Sequence, residues 1–286
     1  MSMLSTVHAE VDKETAVQNI LEVEHLTKTY GAGSTAYTAL ADISFGVRSQ
    51  ELVTVVGPSG AGKTTLLKCI AGLMEPSGGQ VLFEGSPVRG VRKGLAVVFQ
   101  DYARSLYPWF SVARNVALPL AAAKVPRAER EERVSTALEA VGLAAARHKK
   151  PYQLSGGMQQ RVAIARALAY RPSVLLMDEP FASVDAQTRA ELEDLVLKAR
   201  AEFGITLVFI THDIDEAVYL ADRVVVLSPP PARVSETVQV ALPMPRDQIA
   251  TKELPEFGHL RAHVYRAVKN RPDDVAGQAT TTATAS

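Results

Sequence analysis

The sequence contains a single cysteine, Cys69, so it can build no internal disulfide framework, and a lone thiol fits a reducing compartment. It also lacks an excess of either charge: Lys+Arg 31 against Asp+Glu 31 gives a formal net charge of zero. That balance excludes a binder held to nucleic acid by bulk charge, and no nucleic-acid partner is expected. Long hydrophobic runs are missing as well. The longest candidate, Ala117 to Ala123, is interrupted by Pro119 and falls far short of the ~20 residues that cross a bilayer. Met1 to Glu14 is polar and has no apolar centre of the kind a signal peptide needs. What is present is 286 residues with 47% hydrophobic and 22% charged side chains, enough to bury a sizeable core. A cytoplasmic α/β chain of one large domain or two ordinary ones is expected.

The stretch through Gln18 has no sustained period and reads as a tail. From Ile20 the pattern tightens: Ile20, Leu21, Val23 and Leu26 predict a strand, and Tyr30 to Ser34 a turn. A strand follows across Ala39 to Val47. Leu52 to Val56, Val174 to Met177, Ile205 to Ile210 and Val224 to Leu227 are continuous β-rich apolar runs, the mark of parallel strands covered on both faces. Helices lie between them. Gln187 to Phe203 carries Leu192, Leu195, Val196 and Ala199 at helical spacing, with Gly204 in the C-cap place. Strands alternating with helices give a parallel sheet with right-handed crossovers. Between about Asp101 and Gln159 the character changes to a helical insertion. Within it Pro126 opens a charged helix whose stripe is Val134, Ala137, Leu138 and Val141, closed by Gly142. Beyond Pro243 strand character is lost, Leu254 to Val268 reads as a terminal helix, and Gly277 to Ser286 as disordered.

The chemistry concentrates in three segments. Directly after the strand at Leu52 to Val56 stands Gly57-Pro58-Ser59-Gly60-Ala61-Gly62-Lys63-Thr64, with a helix expected from Thr65 to Leu73. Glycines let backbone N–H groups wrap phosphate oxygens at the positive end of that helix. Lys63 would reach the β/γ-phosphates and the Thr64 hydroxyl would ligate Mg²⁺. A plain glycine turn is the bland alternative, and the strand-loop-helix context argues against it. Asp178 and Glu179 end the strand Val174 to Met177. An acid at the carboxyl end of a strand beside the phosphate-loop strand can hold Mg²⁺, and a second acid pointing elsewhere can polarise a water for attack on the γ-phosphate. Leu154-Ser155-Gly156-Gly157-Met158-Gln159-Gln160-Arg161 opens another helix with a hydroxyl and two glycines, a second anion site. An ordinary serine N-cap would explain Ser155 but not the glycine pair. Phosphate sites at opposite ends of one domain point to pairing across a dimer, Ser155 of one copy facing the nucleotide held by Lys63 of the other.

In kind and in order these segments, over about Ile20 to Leu242, resemble the ATP-binding subunit of ABC transporters. The resemblance implies an α/β P-loop NTPase (RecA-like) core with a parallel sheet, an N-terminal antiparallel β region and an inserted helical subdomain at about 101–159. The nucleotide-binding domain would span 19–243, between a tail at 1–18 and a helix-and-tail extension at 244–286. ATP and Mg²⁺ are the implied cofactors. Tyr30 matches the aromatic residue that stacks on adenine; Gly57 to Thr65 the phosphate loop; Ser155, Gly156, Gly157 and Gln159 the signature; Gln100 the Q-loop, coupling Mg²⁺ and water to the membrane partner. Glu179 would be the general base, and His212 in Thr211-His212-Asp213 the switch histidine on the γ-phosphate. Asp178, Thr64 and Gln100 are the implied metal ligands. Where the family commonly has Ser-Ala-Leu-Asp, this chain has Ala182-Ser183-Val184-Asp185, so Asp185 is kept but position 182 has lost its side-chain donor.

No membrane-spanning half is present, so the resemblance implies a separate permease and pairing with a second copy of this chain or with a close relative. The segment Leu106-Tyr107-Pro108-Trp109-Phe110-Ser111-Val112, with Asn115-Val116, follows Gln100 where the family meets its permease. A core role for Trp109 is the alternative. The Tyr-Pro-Trp segment, Asp178 to Phe181 with Asp185 to Arg189, and Pro245-Arg246-Asp247 are similar to the nitrate/sulfonate/taurine branch of bacterial importers. A peripheral subunit on the cytoplasmic face of the inner membrane is implied, with a periplasmic or lipid-anchored solute-binding protein as a further partner. A soluble ATPase of this family acting on ribosomes or DNA is the competing reading. It would need two cassettes or a long coiled-coil insertion, and neither is here. A scaffold without turnover would have lost its base, yet Glu179 remains. His259 and His263, four apart on the terminal helix, lack further metal ligands and read as a solvated face.

Overall fold

The computed structural model describes residues 19–269, with residues 102 and 103 by their backbone alone. The tail expected at 1–18 and the disorder expected at 277–286 lie outside the described residues. Strands β1 (Asn19–Tyr30) and β2 (Tyr37–Arg48) pair antiparallel, and β3 (Leu52–Val56) leads into α1 (Lys63–Ile70). After β4 (Gly78–Phe83), β5 (Ser86–Pro87) and β6 (Leu95–Val98) comes the helical stretch of α2 (Tyr102–Ser105), α3 (Val112–Ala122) and α4 (Arg127–Ala140). Helix α5 (Gly156–Ala169) returns the chain to β7 (Val174–Asp178). Then follow α6 (Ala186–Phe203), β8 (Thr206–Ile210), α7 (Ile214–Leu220), β9 (Arg223–Leu227), β10 (Val234–Gln239), α8 (Ala250–Glu253) and α9 (Pro255–Lys269).

Two sheets result: a four-stranded antiparallel one in the order β2-β1-β4-β5, and a six-stranded one in the order β10-β9-β3-β8-β7-β6, parallel apart from its β10 edge. Alternation along the central strands divides the core. Val53, Val55, Leu176, Val208 and Val225 pack with Leu66 and Ile70 of α1 and with Leu21 and Ile43 of the small sheet. Leu52, Leu175, Leu207, Phe209 and Val224 pack with α5, α6, α7 and α9. Thr54, fully buried among them, donates its hydroxyl to the Ala217 carbonyl at 3.3 Å, which satisfies it. The sheets are tied together by Arg223, whose guanidinium pairs with the buried Glu51 at 2.8 Å and reaches the Gly46 carbonyl at 2.6 Å.

The strands expected from the continuous apolar runs are present within a residue of their expected limits, and the strand expected from Ile20 continues on to Tyr30. Four strands, β4, β5, β6 and β10, escaped the sequence reading. β10 (Val-Ser-Glu-Thr-Val-Gln) is a half-exposed edge strand with one buried residue, Val238, and β4 opens on two glycines. The order of strands corrects one expectation: β7, which ends in Asp178, does not lie beside β3, because β8 is hydrogen-bonded between them. Helix α1 therefore crosses over β8 to bring Thr64 to Asp178.

Gly79 marks a close approach of β4 to its sheet neighbour β1, where their register shifts between Glu24 and Thr27. Its φ is +71°, and a Cβ there would stand 2.2 Å from the His25 carbonyl oxygen and 2.4 Å from that of Glu24. Gly79→Ala should destabilise the fold by about 2 kcal/mol or more, from left-handed backbone strain plus a clash with backbone atoms that cannot move aside. Thermal unfolding of the variant measures it.

Candidate active site

The site is built on one row of backbone. Ile210 at the end of β8 pairs with Val55 on one side and with Asp178 on the other. The next residues lock the row: Thr211 N–H donates to the Val55 carbonyl at 3.2 Å and Glu179 N–H to the Ile210 carbonyl at 2.9 Å. The loops leaving β3, β7 and β8 thus emerge from the same sheet edge, the usual ligand-binding edge of a parallel sheet. Glu179 pays for its place with a left-handed backbone, φ +42°, a strain of about 1–2 kcal/mol for a residue of this kind.

The phosphate loop has Gly60 at φ +80° and Gly62 at φ +76°, and a Cβ on Gly62 would stand 2.8 Å from Leu40 Cδ2. Ser59 and Gly60 are exposed, while Ala61 is buried and donates its N–H to the Pro58 carbonyl at 3.1 Å. Lys63, buried, sends Nζ back across the loop to the carbonyls of Gly57 (2.9 Å) and Pro58 (3.2 Å). The Glu179 carboxylate lies 3.9 Å from that nitrogen. Burial lowers the Lys63 amine's affinity for its proton, and the charges of Glu179 and Asp178 pull it back up.

Thr64 Oγ1 donates to Asp178 Oδ1 at 3.3 Å. Burial pushes the Asp178 carboxyl up, the Thr64 bond offsets part of this, and the neighbouring Glu179 adds to it. A hydroxyl and a desolvated carboxylate side by side are the hard oxygen donors that suit Mg²⁺. His212 Nδ1 meets Glu179 Oε2 at 3.0 Å, so Glu179 stands between an imidazole and an ammonium. Tyr30 is exposed; its hydroxyl bonds Thr65 Oγ1 at 3.0 Å and Met74 Sδ at 3.3 Å, and Lys28 Nζ lies over its ring at 5.6 Å.

Other expected residues lie elsewhere. Gln100 is exposed two residues beyond β6. Ser155 caps α5, its hydroxyl accepting from Met158 N–H at 3.3 Å, and a Cβ on Gly157 would meet Thr188 Cγ2 at 2.5 Å. Ser155 and Gly156 are exposed, whereas the Gln159 amide turns inward to the carbonyls of Pro151 and Leu154. Among the described residues no hydrogen bond joins this segment to the phosphate loop. Asp185 caps α6, and the N–H and hydroxyl of Thr188 hold its carboxyl below the ordinary range. Exposed Ala182 only passes a backbone N–H to the Glu179 carbonyl, at 3.3 Å. No His/Cys/Asp/Glu group suited to a metal occurs among the described residues, and His263 pairs with Glu236 at 2.6 Å.

Trp109 resolves to the surface, 64% exposed, on a ridge where Tyr107 meets it edge-on at 5.4 Å and packs on Phe110 at 5.3 Å. Asn115 holds the ridge from beneath. Fully buried, it accepts from Tyr107 N–H at 2.8 Å and donates to the carbonyls of Tyr107 and Ser111, each at 3.1 Å. Sequence reasoning placed Asn115 in this segment but missed that role.

Also missed was the polar group behind His212. Arg189 pairs with Asp213 at 2.8 Å, and Asp213 caps α7 by accepting from Glu216 N–H at 3.1 Å. Burial pushes the Glu216 carboxyl up to about 8, a bond to Thr211 opposing it and the charges of Glu193 and Asp213 adding to it. The only signal was an acid among apolar helix positions.

The family model described as ABC transporter matches residues 40–182. An uncharacterized ABC transporter ATP-binding protein of Methanocaldococcus jannaschii is 47% identical, the match covering 91% of this chain and 96% of that one. The nitrate import ATP-binding protein NrtD of Synechococcus elongatus is 43% identical, with coverage of 84% and 88%. The taurine import ATP-binding protein TauB of Pseudomonas entomophila is 42% identical, with coverage of 90% and 99%. Among solved structures, CbiO1 of Clostridium perfringens matches with a TM-score of 0.71 at 30% identity, over 91% of this chain and 98% of that one. A dimeric ATP-binding cassette in a post-hydrolysis state with ADP and Pi matches with a TM-score of 0.66 at 31% identity, over 77% and 98%.

Glu216 keeps its proton in the fold up to about pH 8 but in the unfolded chain only to its ordinary 4.5. The stability this contributes is present in full below pH 4.5 and is lost as pH rises through about 8. Between those limits the loss approaches about 1.4 kcal/mol per pH unit. Glu216→Gln should flatten that part of the stability curve, as measured by urea unfolding at several pH values.

Proposed function

The chain belongs to the ABC transporter family as an ATP-binding subunit, and on that premise we propose that it hydrolyses ATP to power import of a small anion such as nitrate, a sulfonate or taurine through a separate permease. The observation that carries the reading is Glu179, set 3.0 Å from His212 and 3.9 Å from Lys63 above the Thr64–Asp178 pair. Nitrate and taurine importers are named among its relatives, which supports the choice of cargo. Among the described residues no helix is long and apolar enough to cross a membrane. The subunit is peripheral, and the cytoplasmic face of the inner membrane is its place in this reading.

Glu179 is the general base, taking the proton of the attacking water on one carboxylate oxygen while His212 Nδ1 orients the other. Lys63, its charge sustained by the two acids, binds the β/γ-phosphates, and the loop from Gly57 to Thr65 cradles them through its backbone N–H groups, which Pro58 alone lacks. Thr64 and Asp178, with Gln100 joining them, would hold Mg²⁺, which neutralises charge on the phosphate oxygens. Tyr30, exposed beside Thr65, stacks on adenine.

Ser155, Gly156, Gly157, Gln159 and Asp185 act across a dimer, on the nucleotide held by the second copy. The exposure of the Ser155 helix start and its lack of any bond to its own phosphate loop support this, as does the dimeric state of a similar cassette. The Tyr107–Trp109–Phe110 ridge docks the permease, and a periplasmic or lipid-anchored solute-binding protein delivers the cargo on the other side.

Glu179→Gln should keep ATP binding and lose turnover by 10²-fold or more, the scale of general-base removal. Normal ATPase rates in that variant would refute Glu179 as base. Lys63→Ala should lose ATP affinity, and unchanged affinity would remove the phosphate-loop assignment. Membranes expressing Glu179→Gln, solubilised with Mg-ATP, should yield a complex with a polytopic permease. Recovery with ribosomes or DNA instead would overturn the transport reading.

A further inference from the structure

The segment after Pro243 is attached to the catalytic domain in an unusual way. Its apolar side chains Met244 and Ile249 are 54% and 70% exposed, while its polar side chains reach inward. The two protons of Gln248 Nε2 are shared among the Ala190 carbonyl at 3.1 Å, Glu193 Oε2 at 3.0 Å and Asp194 Oδ1 at 2.9 Å, all on α6. Lys252 Nζ stands 3.6 Å from the same Glu193 oxygen, donates to Gln248 Oε1 at 2.7 Å and lies over the Tyr219 ring of α7 at 4.8 Å. Tyr219 closes the loop by donating to Asp194 at 2.6 Å. Asp247 fixes the segment itself, accepting from Ile249 and Ala250 N–H at 2.9 and 2.8 Å.

Glu193 is the centre of this arrangement, 3% exposed. Burial pushes its carboxyl up, and the Gln248 bond and the Lys252 charge oppose that push. Bonds of this kind are directional, so they fix position rather than merely cover surface. The two helices they join begin at functional points: α6 is capped by Asp185, and α7 starts two residues after His212, with Arg189 of α6 bonded to the intervening Asp213.

We propose that Asp247 to Lys252 is a positioning latch, in which Gln248 and Lys252, seated on the buried Glu193 carboxylate, hold α6 and α7 together and so keep His212 bonded to Glu179. The latch never touches the nucleotide; it sets the geometry of the residue that does. It rests on the catalytic reading of Glu179 and His212, and the experiment separates the two.

The test measures kcat, ATP affinity and melting temperature for Lys252→Met, Lys252→Arg and Gln248→Ala, each alone and with His212→Ala. Methionine keeps a stem on Tyr219 and removes only the charge, so it carries the test even if Gln248→Ala fails to fold. Lys252→Met should lower kcat by about fivefold, the scale of indirect coupling, with ATP affinity within about twofold of the parent. Lys252→Arg should restore the rate, and neither change should matter further once His212 is alanine. An unchanged kcat in Lys252→Met would overturn the latch, as would an equal loss in the His212→Ala background or a loss confined to ATP affinity. If His212→Ala alone leaves kcat intact, the catalytic reading fails instead.

Discussion

Everything chemical here depends on three parallel strands ending level with one another. Val55, Ile210 and Asp178 share one hydrogen-bonded row, and the residue after each of the last two is tied back to its neighbour. Because the strands are buried on both faces, slipping one of them along its neighbours would leave main-chain groups unpaired in the core, at a cost of roughly 1–3 kcal/mol each. The row is therefore stiff. Lys63 and Thr64, Glu179, and His212 are suspended from it by very short lengths of chain, and their mutual distances inherit its stiffness.

Charge then does within this frame what geometry alone could not. Desolvation works against the ionised forms of both Lys63 and Asp178, and each charge opposes the penalty on the other. In a site of this depth such fields are screened far less than at a surface, so phosphate charge and a divalent cation enter a place already ordered for them. The left-handed backbone of Glu179 belongs to the same economy. Its N–H bond to Ile210 offsets much of the strain with about 1 kcal/mol, while its carboxylate sits between His212 and Lys63.

Much of this was legible in the linear sequence because phosphate chemistry needs glycine, lysine and hydroxyl residues at fixed spacing. The central strands were legible because burial on both faces leaves an unbroken apolar run. The order of strands was not: nothing in Val174–Asp178 says that β8 intervenes before β3, since pairing partners are chosen by crossover geometry rather than by composition. β10 was hidden by its half-exposed, largely polar side chains. The roles of Asn115 and Glu193 were hidden for a different reason. Each is a single polar side chain whose partners are backbone groups or residues far along the chain, and neither stands in a motif. An acid such as Glu193, set among Leu192, Leu195 and Val196, is the faint trace such a role leaves.

The exposed indole of Trp109 has a practical corollary. It is the single tryptophan of the chain and it stands on the aromatic ridge. Excited near the red edge of its absorption, the unlabelled subunit is its own fluorescent reporter of that one patch. A blue shift would follow the indole from water into an apolar groove, and a quencher such as iodide would count how much of it stays wet. The moment of engagement with another protein can thus be timed separately from the turnover of ATP, with no dye and no altered residue.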